Sequence, residues 1–205
     1  ICLEAALAID RRVLTWRGRD CDIHAEPERL TLVEAFKRHA GLDLERWIDD
    51  PESAASDTRG AGLRVGEGDS WSDLFSRVVV EKIEPHLGQG RLTVLCEYPI
   101  EEAALARPLP ADPRFAERFE LYACGVELAN GFGELTDPVE QRRRFEADMA
   151  LKQALYGETY PIDADFLAAL SVMPDASGCA LGFDRLVMLA TGAHSIQQVL
   201  WTPPA

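Results

Sequence analysis

Two glutamates, Glu120 and Glu127, lie in a stretch whose pattern predicts a β-hairpin. Strand-forming runs flank residues 124–125, a Cys-Gly pair, and a glycine-containing pair between two such runs is typical of a two-residue turn. With that turn, Tyr122 pairs with Glu127. Glu120 then pairs with Ala129. Because side chains alternate between the two faces of a strand, both carboxylates point to the same face as diagonal cross-strand neighbours.

Two carboxylates on one face repel each other unless a cation or a positively charged substrate lies between them. Mg²⁺ is usually held by one or two carboxylates together with phosphate oxygens, so the pair predicts a site for magnesium and a phosphate compound. The alternative is a solvated hairpin face that carries two glutamates and no ligand. The spacing alone leaves both interpretations open.

A second stretch, residues 177–190, places Gly178, Ala180 and Gly182 on one face of a predicted strand. A strand so poor in side chains indicates that another surface approaches its backbone closely. The spacing differs from that of dinucleotide-binding turns, and the lysine of a P-loop is missing. Arg185 follows near a helix N-terminus, where a cation is unfavourable and needs a partner. Its guanidinium could stack on adenine or bind phosphate, or it could form a local salt bridge beside small packing residues.

Composition narrows the class of protein. The chain has 205 residues, 47% of them hydrophobic and 27% charged, which predicts one soluble globular domain over residues 1–205. A net charge of −14 argues against tight nucleic-acid binding, so tRNA is not an expected partner. We find no membrane-length apolar run and no signal peptide, and expect no membrane association and a cytoplasmic location. The five cysteines form no C-x-x-C pair and are predicted to be free thiols.

Periodicity and capping signals predict an α+β fold, with an antiparallel sheet flanked by helices. The predicted helices span residues 3–16, 31–39, 44–48, 71–86, 138–156 and 163–170, with a last helix starting near Phe183. The predicted strands are residues 92–98, the hairpin and the glycine-rich segment. Residues 17–28 and 99–114 are expected to be loops, the latter with one helical turn over residues 101–106. Residues 49–68 have the least ordered composition.

Together the two stretches resemble the catalytic domain of class II aminoacyl-tRNA synthetases of the lysyl type. GCALGFDRL, residues 178–186, is similar to motif 3 of that family, and residues 117–145 are similar to the strand pair and helix that precede it. VELANGFGELTD and MPDASGCALGFDRLVMLATGA are closer still to the paralogue that attaches lysine, as β-lysine, to elongation factor P. The resemblance is strong from about residue 92 onwards and loose before it.

The resemblance implies roles for matching positions. Glu120 and Glu127 would hold Mg²⁺ and the ATP phosphates. Arg185, the catalytic candidate, would stack on the adenine or contact the γ-phosphate, and Gly178 and Gly182 would leave room for ATP.

The remaining matched positions concern the amino acid. Glu134 would pair with the side-chain ammonium of a lysine-like substrate, because a buried carboxylate that other substrates leave unpaired is a strong selector. Asn130 and Phe132 would line that pocket. Ala180 stands where authentic lysyl-tRNA synthetases have glycine and where the paralogue has alanine. Asn130 and Glu127 have opposite strand parity, so both can face the site only if a bulge lies near residues 129–131.

The family's motifs 1 and 2 have no counterpart in the chain, which resembles the family from the helix after motif 2. We therefore expect a fragment or a truncated form of the domain, incomplete at its N-terminus. Motif 1 is the usual dimer element, so the sequence leaves undecided whether the chain forms a homodimer. The implied reaction is formation of an aminoacyl-adenylate from ATP and lysine or β-lysine, with transfer to elongation factor P. It is expected to be impaired without motif 2. The alternatives are the C-terminal part of a lysyl-tRNA synthetase or a non-catalytic synthetase-like binding module.

Overall fold

The computed structural model describes residues 1–9 and 11–202, and within them helices flank a mixed, mainly antiparallel sheet. The helices are α1 (Cys2–Leu7), α2 (Leu32–Ala35), α3 (Leu44–Asp49), α4 (Ser53–Gly60), α5 (Trp71–Val78), α6 (Pro138–Tyr156), α7 (Ala164–Leu170) and α8 (Phe183–Thr191). The strands are β1 (Val13–Trp16), β2 (Arg19–Asp22), β3 (Glu28–Thr31), β4 (Gly90–Arg91), β5 (Thr93–Pro99), β6 (Phe115–Ala123), β7 (Val126–Gly133) and β8 (Ser177–Leu181). The predicted fold class is confirmed.

The main sheet of the described chain has the order β3-β5-β6-β7-β8. Strands β5 to β8 pair antiparallel to their neighbours, whereas β3 pairs parallel to β5. A smaller sheet has the order β1-β2-β4. No helix in the part of the chain that the structure describes is long and apolar enough to cross a membrane.

Local capping chemistry explains where the helices begin and end. Thr31 and Glu34 form a capping box at α2, which continues as a π-helical turn over Phe36–Ala40 and ends at Gly41 in the left-handed conformation. Ser70 caps α5 in the same way, and the chain stays helical through Val79–Ile83 and Glu84–His86. Asp137 and Gly157 bound α6, and Asp163 caps α7. These helix predictions are confirmed.

Two apolar cores cover opposite faces of the main sheet. Helices α2 to α5 bury Phe36, Trp47 and Phe75 against the β3, β5 and β6 side, where Leu95 and Tyr122 join them. The Phe36 ring lies edge-on to Trp47 at 5.5 Å and is stacked on Phe75 at 5.4 Å between ring centroids. The second core joins α8 and the small sheet to the opposite face. Within the described residues, these helices cover only one end of the first face, which stays partly exposed over β7 and β8.

The N-terminal prediction was wrong in part. The helix expected over residues 3–16 is confined to Cys2–Leu7, and Val13–Trp16 is a strand that pairs with Arg19–Asp22, a segment expected to be loop. Residues 13–16 are branched or aromatic, and Arg17 and Gly18 both have positive φ, as a tight hairpin turn requires. The prediction also spanned Asp10, which lies outside the described residues.

Two further expectations were corrected. Ser53–Gly60, in the stretch with the least ordered composition, forms α4, because Ala54 and Thr58 are buried and Asp57 accepts a hydrogen bond from the Trp47 indole at 3.1 Å. In the loop before the hairpin, the helical turn is Ile100–Glu102 rather than residues 101–106. Tertiary contacts decide both segments, and local composition does not report them.

The imidazole rings of His39 and His86 are stacked, with their centroids 4.8 Å apart and their planes 6° from parallel. Burial lowers the pKa of His39, and the charges of His86 and Arg38 add to this while Glu28 opposes it. The fold therefore favours neutral His39, and below about pH 6.5 the unfolded chain binds more protons. This contribution to stability is complete above that pH. It is lost as the pH falls towards the lower pKa that His39 has in the folded state.

Urea denaturation at pH 7.5 and pH 5.5 measures the effect. His39→Gln is expected to reduce the pH dependence of the free energy of unfolding, and the same substitution at the exposed His24 is the control. An unchanged pH dependence in the His39 variant would contradict the assignment.

Candidate active site

The hairpin register places the predicted acidic residues on one sheet face. Tyr122 pairs with Glu127, as predicted, but Glu120 pairs with Asn130 and not with Ala129. The register shifts between Leu121 and Tyr122 because Leu128 is an extra residue in β7.

The bulge expected near residues 129–131 is therefore confirmed, one residue earlier than predicted. Leu128 is buried in the core under α8, and its carbonyl accepts a hydrogen bond from Gly182 N at 2.8 Å. This inward turn of Leu128 is what lets Glu127 and Asn130 share a face.

Strand β8 brings the small residues to the same face. Ala180 pairs with Asn130, and Gly178 pairs with Phe132. The carboxylate of Glu134 lies over Gly178, since a Cβ added at Gly178 would be 2.5 Å from Glu134 Oε1. The close approach predicted from the small side chains is thus made by Glu134.

Glu120 is buried and already has two hydrogen-bond donors. Arg118 Nη2 donates to Oε1 at 2.7 Å, and the Tyr122 hydroxyl donates to Oε2 at 2.7 Å. Arg118 Nε also donates to Asn130 Oδ1 at 3.3 Å, while its guanidinium lies 4.3 Å from the centroid of the Tyr98 ring. Burial, with the nearby charge of Glu120, raises the pKa of Tyr122, so this hydroxyl keeps its proton and remains a donor.

Glu127 is paired with the guanidinium of Arg185. Arg185 Nη1 donates to Glu127 Oε2 at 3.1 Å and to the Glu127 carbonyl at 2.9 Å. Glu127 is thus the compensating partner that Arg185 requires at the start of α8. This pair is the local salt bridge that the sequence analysis gave as the alternative to nucleotide binding. Both side chains are partly exposed, at 44% for Arg185 and 34% for Glu127, so an incoming anion can compete for the guanidinium.

Glu134 differs from the other two carboxylates because no arginine, lysine or histidine of the described chain forms an ion pair with it. Its backbone is fixed on both sides. Glu134 N donates to the Ala176 carbonyl at 3.0 Å, and Glu134 bridges to Ala106. A partly exposed carboxylate that is held rigidly without a cation is suited to bind an ammonium ion.

Sequence reasoning missed three contributors to this face. Arg118 lies two residues before Glu120, so strand alternation alone could have placed it beside that carboxylate. Tyr122 follows by the same rule. Glu84 lies in the segment between α5 and β4, and Tyr122 Oη is 3.3 Å from its Oε1. Burial raises the pKa of Glu84, with the charges of Glu120 and Glu127 adding to the shift. No local sequence signal identifies Glu84.

The carboxylates of Glu120 and Glu127 fit a magnesium ion only if a phosphate compound supplies further oxygen ligands. No group of three or more histidine, cysteine, aspartate or glutamate side chains is arranged to hold a metal within the described residues. Glu120 and Glu127 supply oxygen ligands on one face, and each carboxylate oxygen retains a lone pair beyond its present hydrogen bond. One or two carboxylates plus phosphate oxygens is the usual environment of Mg²⁺.

The chain is similar in sequence to known proteins. Residues 8–204 match the family model of class II tRNA synthetases (D, K and N). The chain is 39% identical over 204 residues to a lysine–tRNA ligase of Moorella thermoacetica, which covers 99% of this chain and 41% of that protein. It is 43% identical over 175 residues to the elongation factor P–(R)-beta-lysine ligase of Klebsiella pneumoniae, which covers 84% of this chain and 54% of that protein.

The chain thus spans between about two fifths and just over half of the length of these two relatives. Its match to the family model nevertheless extends over almost all of its residues. The chain belongs to the class II tRNA synthetase family of the D, K and N type.

Proposed function

We propose that the open sheet face binds lysine or β-lysine together with Mg²⁺ and ATP, and serves their conversion to an aminoacyl-adenylate. The single observation that supports this most is the placement of Glu134. Its carboxylate has no cationic partner in the described chain and lies on the same face as Asn130 and Phe132. A lysine-like substrate would supply the missing ammonium.

The reaction requires little covalent chemistry from the protein. The substrate carboxylate attacks the α-phosphorus of ATP, the bond to the pyrophosphate oxygen breaks, and pyrophosphate leaves. Catalysis of such a transfer depends on positioning and on neutralisation of phosphate charge. Bound Mg²⁺ would neutralise part of that charge, with Glu120 and Glu127 as its protein ligands. Arg185 would exchange its salt bridge with Glu127 for contact with the nucleotide.

The small residues define the remaining space of the site. Gly178 leaves room for the Glu134 carboxylate and, with Gly182, for the nucleotide. Ala180 is exposed and pairs with Asn130, so its methyl group reaches the amino-acid side of the face. By resemblance, alanine here favours the paralogue that modifies elongation factor P, and the acidity of the chain agrees with a protein acceptor.

A second candidate function is lysine activation for tRNA. The match to the lysine–tRNA ligase of Moorella thermoacetica, which extends over 99% of the chain, supports it. The two candidates share the adenylate step and differ in the acceptor of the acyl group.

One assay tests the shared step and then separates the acceptors. Residues 1–205, and separately a form of the chain extended to include motif 2, are mixed with ATP, Mg²⁺ and labelled lysine or β-lysine. Exchange of pyrophosphate into ATP reports adenylation, and label on elongation factor P or on tRNA identifies the acceptor. We expect slow exchange by the 205 residues and faster exchange by a longer chain that contains motif 2, with label on elongation factor P. Absence of amino-acid-dependent exchange from every preparation would sink the proposal.

A further inference from the structure

A short loop, residues 103–106, forms one wall of a cavity beside the candidate amino-acid site. The cavity has a volume of about 220 Å³, and Arg118, Asn130 and Phe132 line its opposite side. Ala103 and Ala106 are buried in a small apolar cluster against which the Phe132 ring packs.

The loop is also hydrogen-bonded to the segment just after β7, which contains Glu134, the candidate partner of the substrate side-chain ammonium. Ala106 bridges to Glu134 in antiparallel fashion, and Leu135 N donates to the Leu105 carbonyl at 2.9 Å. Any movement of the loop therefore changes both the width of the cavity and the position of Glu134.

A buried arginine of α6 holds this loop through its backbone. Arg144 Nη1 lies 2.9 Å from the carbonyl oxygens of Ala103 and Ala106 and 3.4 Å from that of Ala104. The Gln141 side chain donates to the Ala104 carbonyl at 3.3 Å. Arg144 and Gln141 are 7% and 1% exposed, which is unusual for such polar residues.

Packing alone does not account for a cation at this position. Arg144 Nε is paired with Glu140 Oε1 at 2.9 Å, but its buried Nη2 has no hydrogen-bond partner in the described part of the chain. An apolar side chain of similar volume would fill such a site without this desolvation cost. What the guanidinium supplies is simultaneous donation from Nη1 to the Ala103 and Ala106 carbonyl oxygens, which converge on that nitrogen.

We propose that Arg144 is a positioning residue that fixes the shape of the amino-acid pocket, and thereby the preference for lysine over shorter amine-bearing acids. The inference rests on the proposed function, since the cavity beside Asn130 and Phe132 is assigned to the substrate side chain. Arg144 does not line that cavity and acts through the 103–106 loop. Its helix α6 thus takes part in selectivity without contacting the substrate.

The test is the ratio of the dissociation constants of ornithine and lysine, measured calorimetrically on the 205-residue chain. One methylene group is worth roughly 10–200-fold in a well-formed pocket, so the wild type is expected to prefer lysine within that range. Arg144→Met is expected to reduce the ratio to less than about 3-fold, with ATP affinity unchanged. Arg144→Lys, which keeps a cationic nitrogen donor but not the planar guanidinium, should retain part of the preference.

Two further variants keep the result interpretable. Gln141→Met removes only the bond to Ala104 and should lower the ratio by a smaller factor, which matters if Arg144→Met folds poorly. Arg77→Met is the control, because Arg77 likewise donates to a backbone carbonyl, that of Arg64, and to a carboxylate, but does not line the cavity or contact the 103–106 loop. It should change stability and leave the ratio alone.

The outcomes separate the two proposals. A wild-type ratio that survives in Arg144→Met and Gln141→Met overturns the role of Arg144 and leaves the proposed function standing. Equal losses of lysine and ATP affinity in Arg144→Met also overturn it, since they indicate general distortion. If the wild type binds neither amino acid, the proposed function fails and this inference fails with it.

Discussion

Glu134→Gln is expected to weaken lysine binding by about 100-fold, or close to 3 kcal/mol. The carboxylate has no protein cation in the described chain, so its charge is available to the substrate ammonium, and a charge-assisted bond of this kind contributes about 1.5–3 kcal/mol. Glutamine keeps the shape of the side chain over Gly178, removes the charge and leaves one acceptor oxygen. Calorimetric titration of lysine into both proteins measures the difference.

The control for this prediction is a change in the ligand. Norleucine has the carbon chain of lysine and lacks only its side-chain ammonium group, so Glu134→Gln should bind it as well as the wild type does. The difference between the two ligands isolates the ion pair from any general disturbance. If lysine and norleucine lose affinity equally, Glu134 does not select the amine.

Glu120→Gln is expected to lose affinity for Mg²⁺–ATP and to lower the free energy of unfolding by about 2–3 kcal/mol. Glu120 is 8% exposed and is hydrogen-bonded to Arg118, so its neutralisation leaves a guanidinium without its charge partner. Breaking a fully buried pair costs about 3–5 kcal/mol, and the 20% exposure of the Arg118 side chain reduces that figure.

Glu127→Gln is the matched control, because its pair with Arg185 is much more exposed and should contribute less than about 1 kcal/mol. Both variants should bind ATP more weakly in Mg²⁺, and only Glu120→Gln should unfold at clearly lower urea concentration. Equal stability of the two variants, or unchanged Mg²⁺–ATP affinity in both, contradicts the assigned roles.

Local signals in the sequence predicted much of the geometry of this sheet face. The Cys124-Gly125 turn gave the correct pairing of Tyr122 with Glu127, because a two-residue turn determines the register next to it. The opposite strand parity of Glu127 and Asn130 also required a bulge in β7 if both were to share a face. Its position at Leu128 could not be predicted, because it depends on a core formed with α8, more than fifty residues later in the chain.

Contacts that are distant in sequence account for most of what was missed. The short strand β2 pairs with β4, almost seventy residues further along, so local periodicity is a poor guide to it. Glu84 joins the site through Tyr122, 38 residues away. The grip of Arg144 on the 103–106 loop likewise spans about 40 positions. By contrast, Arg118 followed the strand alternation and could have been identified.

The most direct test of the central claim is a crystal structure of the chain soaked with saturating lysine, Mg²⁺ and a non-hydrolysable ATP analogue. We expect the lysine ammonium within hydrogen-bond distance of Glu134, the triphosphate beside Glu120 and Glu127, and Arg185 turned from Glu127 to the nucleotide. Lysine bound on another surface, or a nucleotide that leaves the Arg185–Glu127 pair intact and lies away from this sheet face, would contradict the account.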